Sequence, residues 1–240
     1  MTSLSAKVLT DLQGAIQRQD KPSNRIDYQR FHKQPLEHPV GLRTPVLRAV
    51  SSEIFSELKR LPAADLLKIC DDLLASGRRY MLFFAFDFAD RSKRRLSKSD
   101  FSRLERWLKT YVADWGSCDH LCCGPLGFLL LQHEELSPRA YRWADSTRWW
   151  LRRAAAVSLI VAVRNGRMIE EVFKTAEKLL NDPEDLVQKG YGWMLKEATR
   201  EFPAEVFDWV LARRKSMPRT ALRYAIEKLP PAMKRRAMAK

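Results

Sequence analysis

The chain has 240 residues with 45% hydrophobic side chains, enough to bury a large core and too apolar for a disordered polymer. Nine glycines and 12 prolines leave little material for the many tight turns of a strand-rich domain, so helices should dominate. A formal net charge of +14 and a sequence pI near 9.9 point to a polyanionic partner, with nucleic acid ahead of an anionic membrane surface.

Taken in order, helical periodicity marks segments at 4–18, 24–34, 45–60, 63–76, 79–94, 98–112, 116–132, 138–145, 148–164, 167–181, 184–201, 203–214 and 219–238. The start, "MTSLSAKVLTDLQ", lacks the apolar core of a secretory signal, and no later run reaches the length of a transmembrane helix. A cytoplasmic protein is expected. Thr44 before Pro45 reads as an N-cap and first helical residue. Asp182-Pro183 and Phe202-Pro203 also read as helix starts, and Ser97 with Asp100 as a capping box. The last stretch, 212–240, carries ten lysines or arginines against one acid. It suits a phosphate backbone, or simply a solvated basic tail.

Within this series "RYMLFFAFDFA", "DWGSCDHLCCG", "WWLRRAAAVSL" and "DLVQKGYGWML" begin near 79, 114, 149 and 185, a spacing of about 35 residues. That period predicts an all-α, right-handed superhelical solenoid of HEAT-like helical pairs forming one domain over 1–240, with a concave basic groove. A generic helical bundle is the alternative. In a solenoid, Trp115, Asp119, Arg153, Lys189 and Trp193 come from successive repeats and can face one groove. Trp115 with Asp119, and Lys189 with Trp193, each share a helix face at i, i+4. The same residues also suit a core: tryptophans at helical spacing pack, and Asp119 can pair with an arginine of the next repeat.

The segment "DWGSCDHLCC" holds three of the four cysteines. Cys118 and Cys122 share a face, Cys123 stands beside Cys122, and His120 is turned away from both, so the group does not converge on one metal. For the same reason no base serves a thiolate nucleophile, and small side chains packed between helices explain the cysteines best. Four cysteines, Cys70 and the three of this cluster, make no disulfide framework, which fits a reducing compartment. No P-loop, dinucleotide fingerprint or zinc spacing occurs, so neither a nucleotide cofactor nor a metal is expected.

"GLRTPVLR" (41–48), "DWGSCDHL" (114–121), "WWLRRAA" (149–155) and "VQKGYGWMLKE" (187–197), in this order, resemble the HEAT-repeat DNA alkylation repair proteins, the AlkD-like DNA glycosylases. The resemblance runs from about 24 to 225. It implies excision of purines alkylated at N3 or N7, without full extrusion of the base and without a cofactor, by a monomer acting on duplex DNA. It further implies that Asp119 is the catalytic carboxylate, that Trp115 and Trp193 pack on the lesion, and that Arg153 grips the backbone there. Tyr28, in "DYQRFHKQ", would match an N-terminal aromatic at the lesion pair. Gly116 departs from the pattern, standing where many members have an aspartate. Arg148 and Arg152 are read as phosphate contacts or solvated charges, with Lys189 on the same DNA-facing seam. Arg43 and Arg48 read as surface or inter-repeat partners.

The chemistry is self-consistent. A purine alkylated at N3 or N7 is cationic and leaves without protonation, so one carboxylate can stabilise the oxocarbenium-like sugar and orient water. Indole faces add cation–π attraction of about 0.5–2 kcal/mol each. Two other functions remain open from the sequence: a noncatalytic protein that reads damaged, bent or branched DNA by shape and charge, and a helical scaffold for an acidic protein.

Overall fold

The computed structural model describes residues 1–31, 35 and 38–239. The chain is predominantly helical and divides into two compact units, Met1–Arg95 and Leu96–Lys240. No helix among the described residues is long and apolar enough to cross a membrane.

The N-terminal unit contains α1 (Ser3–Gln19), α2 (Thr44–Leu58), α3 (Ala63–Ala75) and α4 (Met81–Arg91). Apolar residues at helical spacing build its core: Leu12 of α1, Leu66 and Leu67 of α3, and Phe84, Phe86 and Phe88 of α4 are fully buried. The helix expected over 24–34 is not what forms. Instead β1 (Arg25–Asp27) pairs antiparallel with β2 (Val40–Leu42), with Arg25 opposite Leu42 and Asp27 opposite Val40. Residues 32–34 of that span lie outside the described residues. The local reason is a pair of tyrosines on the Leu42 peptide. Tyr28 donates its hydroxyl to the Leu42 carbonyl at 2.7 Å, and the Leu42 N–H donates to the Tyr80 hydroxyl at 3.0 Å. Long-range partners for backbone groups override the weak helical pattern of a short segment. The N-cap of α2 is Arg43 rather than Thr44, with Pro45 in the first turn, where its missing N–H costs nothing.

The second unit runs through α5 (Phe101–Thr110), α6 (Trp115–Leu121), α7 (Gly127–Gln132), α8 (Ser137–Tyr141), α9 (Trp149–Val157), α10 (Ile160–Val163), α11 (Ile169–Lys178), α12 (Asp185–Ala198), α13 (Pro203–Arg213), α14 (Arg219–Ala225) and α15 (Pro231–Met238). The Ser97 capping box is present, its N–H donating to Asp100 at 2.8 Å, and α13 begins on Pro203 as expected. Asp182-Pro183 lies just ahead of α12, whose N-cap is Glu184. Three segments read as single helices are broken. Pro125, with Gly124 at φ −99, ψ −117, kinks the 116–132 segment through a π turn. Ser158 and Leu159 separate α9 from α10, and residues 226–230, ending in Pro230, separate α14 from α15. At the proline sites the cause is direct: proline lacks a donor and disfavours helical backbone in the residue before it.

What positions the site is a row of neighbouring helices. α9 packs against both α6 and α12, and α12 packs in turn on α14. The last of these packings depends on Gly192, where an added Cβ would fall 2.8 Å from the Ala221 carbonyl oxygen and 2.8 Å from the Tyr224 Cβ. Tyr191 beside it is fully buried and donates its hydroxyl to the Leu180 carbonyl at 3.0 Å.

Candidate functional site

The site starts at a helix cap. Asp114 is the N-cap of α6; its side chain accepts from the Ser117 N–H at 2.9 Å and from the Ser117 hydroxyl at 2.6 Å. This fixes the first turn, and with it Trp115 and, one turn on, Asp119 on the same face. Arg148 and Glu184 are the corresponding N-caps of α9 and α12. Counting five residues from each cap gives Asp119, Arg153 and Lys189, equivalent positions on three adjacent helices.

The first two of these meet. Arg153 holds Asp119 through two parallel bonds, Nε to Oδ1 at 2.8 Å and Nη2 to Oδ2 at 2.7 Å, and donates its remaining Nη1 to the Leu186 carbonyl of α12. The Asp119 side chain is 19% exposed and that of Arg153 7%. A bidentate pair of this kind is rigid as well as strong. Gly190 makes room for it, since a Cβ there would lie 3.1 Å from Arg153 Cγ and 3.3 Å from Nη1. Burial pushes the Asp119 carboxyl up, reinforced by the nearby Asp114, while Arg153 pulls it down; the net direction is upward. Burial works to lower Arg153, but the Asp119 bonds outweigh it and the guanidinium is held above its usual value. The result is an oriented carboxylate, ion-paired to Arg153 and only partly withdrawn from solvent.

Arg153 is therefore not a surface contact in this structure. The guanidinium expected at a DNA backbone is inside the protein, bound to the carboxylate it was expected to accompany. Arg152 departs from expectation in the same way. Its Nε and Nη2 bind Asp182 at 2.6 and 3.0 Å, and its Nη1 donates to the Ser146 and Thr147 carbonyls, both at 3.1 Å. With a side chain 16% exposed, it ties the loop before α12 to the start of α9. Arg148 remains on the surface, donating to the Lys109 carbonyl at 2.8 Å, with its guanidinium 5.8 Å from the Trp150 ring centroid. Lys189 is half-buried and pairs with Asp185 at 3.3 Å.

Trp115 and Trp193 are both half-buried, so each indole keeps an accessible part. Trp193 lies on α12, one turn beyond Lys189. Its Nε1 donates to Glu197 Oε1 at 3.2 Å, and the Arg164 guanidinium stands 6.0 Å from its ring centroid. Tyr28 belongs to the N-terminal unit, where its hydroxyl is committed to Leu42 and its ring leans on Phe31 at 6.5 Å.

The cysteines pack as expected. Cys118 donates to the Trp150 carbonyl at 3.3 Å and Cys123 to the Val157 carbonyl at 3.6 Å, joining the α6 region to α9. Burial pushes the Cys122 and Cys123 thiols well up, so they stay protonated and unreactive. Among the described residues no group of three or more His, Cys, Asp or Glu side chains is placed to hold a metal.

Sequence reasoning missed Glu197, the pairing of Asp182 with Arg152 and the purpose of "GYG". A capping signal was legible at Asp114, an acidic residue three before a serine at a helix start. The glycines, by contrast, report close approach by helices distant in sequence, which no local pattern encodes.

Comparison with known proteins adds a family and a fold. The family model described as DNA alkylation repair enzyme matches residues 12–229. A solved structure described as "Predicted DNA alkylation repair enzyme from Enterococcus faecalis" superposes with a TM-score of 0.69 at 18% identity, covering 80% of this chain and 88% of that one. At that identity the likeness concerns the fold alone. No curated protein sequence matches the chain.

Proposed function

This chain belongs to the DNA alkylation repair enzyme family, and from that premise we propose that it is a DNA glycosylase hydrolysing the N-glycosidic bond of N3- or N7-alkylated purines in duplex DNA. One observation carries the reading: a carboxylate, Asp119, is fixed by a buried bidentate arginine yet left 19% exposed beside an indole on the same helix face. The adjacency of α6, α9, α12 and α14 supports the further reading of the second unit as stacked HEAT-like pairs, with Trp115, Asp119 and Trp193 along one groove.

In this mechanism the alkylated base departs with the glycosidic electron pair, which neutralises its ring charge, so no acid is needed. Positive charge passes to the sugar, where Asp119 stabilises it electrostatically. Water then attacks C1′ and gives up its proton to the carboxylate or to solvent. Trp115 and Trp193 offer π faces to the cationic base and to the sugar. Arg153 acts by positioning Asp119 and keeping it ionised rather than by gripping DNA. Arg148 and Lys189 are the phosphate-facing cations. Excision without full extrusion of the base rests on the family resemblance alone and contrasts with base-flipping enzymes.

A specific observation favours the second reading, a noncatalytic protein that recognises damaged or bent DNA. Arg153 occupies both oxygens of Asp119, and Gly116 replaces an acid common in the family pattern. Incubating the protein with duplexes containing N7-methylguanine or N3-methyladenine and chromatographing the free bases separates the two. Release of the modified base supports the glycosylase; tight binding with no release supports the alternative.

A further inference from the structure

Near the end of α12, Glu197 is a carboxylate that the mechanism above does not use. Its side chain is 4% exposed, and its ligands come from separate segments. Oε1 accepts from Trp193 Nε1 at 3.2 Å and from Lys228 Nζ at 3.0 Å. Oε2 accepts from Arg164 Nε at 2.8 Å and lies 3.1 Å from Arg200 Nε. Arg164 is the C-cap of α10, Lys228 follows α14, and Arg200 follows α12. The same arginine that binds Oε2 stands over the face of Trp193, 6.0 Å from its centroid.

We propose that Glu197 is a positioning residue for Trp193, locking the rotation of the indole so that its free face meets the lesion; the inference rests on the glycosylase reading of the site. An indole turns about two side-chain torsions, and packing on one edge leaves rotation to be settled. The bond from Nε1 to a carboxylate four residues on settles it, because i and i+4 side chains stand one above the other on α12. Glu197 cannot itself drift, since its oxygens are held by cations from three segments. Burial works to push the carboxyl up, but Arg164 and Lys228 prevail and hold it at about 2, so the acceptor is ionised throughout any practical assay range. The arrangement also leaves more positive than negative charge behind Trp193, which suits an approaching phosphodiester backbone.

A purely structural salt-bridge hub would lower stability when cut, whatever residue stood at 193. A positioning residue acts through the indole, so its effect on turnover vanishes when the indole is gone. The test is a double-mutant cycle on single-turnover release of N7-methylguanine, using Glu197→Leu, Glu197→Gln and Trp193→Phe with their combinations. Glu197→Leu removes the acceptor and should lower the rate roughly 10- to 100-fold with little change in DNA affinity, the scale of a small misplacement at a reacting centre. Glu197→Gln keeps a carbonyl for Nε1 and should recover most of that loss. In the Trp193→Phe background either change should alter the rate by less than about twofold.

If Glu197→Leu does not fold, stranding its cations, Glu197→Ala, which also removes the acceptor but leaves room for water around them, carries the same cycle. A second readout needs no catalysis. The near-ultraviolet circular dichroism of Trp193, taken as wild type minus Trp193→Phe, should change when the same difference is measured in the variant that lacks the acceptor and should be retained in Glu197→Gln. If wild type releases no base, the glycosylase reading fails, while the Trp193 spectrum still decides whether Glu197 orients the ring. Equal rate losses in both backgrounds, or a Trp193 spectrum unchanged in the variant that lacks the acceptor, would overturn the proposal.

Discussion

Asp119 and Arg153 are worth more together than either is alone. Removing one member of a buried pair strands the other, so Arg153→Met should cost about 3–5 kcal/mol in urea unfolding. Arg153→Lys should recover little, because an ammonium cannot supply the parallel bonds to Oδ1 and Oδ2. The direction of the Asp119 shift also predicts a pH profile. A carboxyl pushed up by burial protonates at higher pH than an ordinary aspartate, so base release should fall on acidification with a midpoint above the ordinary 3.8. Glu197 has the opposite sign. Its carboxyl is depressed from 4.5 to about 2, so its contribution to stability is complete above the unfolded value and is lost as pH falls through that window. Denaturation melts between pH 5 and 2 should show a loss on the order of 2–3 kcal/mol that is absent from Glu197→Gln. At this scale the sequence revealed which residue types matter but not who holds whom. Asp119 stood out, and the chance that it pairs with an arginine was visible. That the arginine is Arg153 became apparent only when α6 and α9 were side by side.

Among the elements, the glycines of "GYG" carry the clearest consequence. Gly192 faces backbone and Cβ atoms of α14 at 2.8 Å, whereas Gly190 faces the Arg153 side chain at 3.1 Å. A methyl group at 192 must move a helix; one at 190 need move only a side chain. Gly192→Ala should therefore destabilise by about 1–3 kcal/mol in thermal melts. Gly190→Ala should change stability less but slow base release, because the side chain it displaces is the one whose Nε and Nη2 hold Asp119. Most helices were legible from periodicity, and the breaks at Pro125 and Pro230-Pro231 follow from proline chemistry that periodicity alone does not register. The pairing of β1 and β2 was not legible. It is set by Tyr28 and Tyr80 converging on Leu42 across 14 and 38 residues of chain.

For the whole molecule, charge and repeat spacing are the quantities the sequence stated most directly. The spacing near 35 residues reappears as the capping positions Asp114, Arg148 and Glu184 of three neighbouring helices. This is why a weak repeat in sequence aligns Asp119, Arg153 and Lys189. The charge of +14 predicts DNA binding that weakens steeply with salt. Arg219, Arg223 and Arg235 in the basic C-terminal segment are exposed and are the candidate phosphate contacts there. Replacing all three with glutamine should flatten the plot of log affinity against log salt by about one unit for each phosphate left without its arginine, and should not alter the rate of release from bound DNA.

The most direct test of the account is single-turnover release of N7-methylguanine from saturating duplex DNA by wild type and Asp119→Asn, with folding and DNA affinity measured on the same samples. A folded Asp119→Asn protein that binds DNA as wild type does, and releases base at least roughly a hundredfold more slowly, is the predicted result. Release by that variant at the wild-type rate would contradict it.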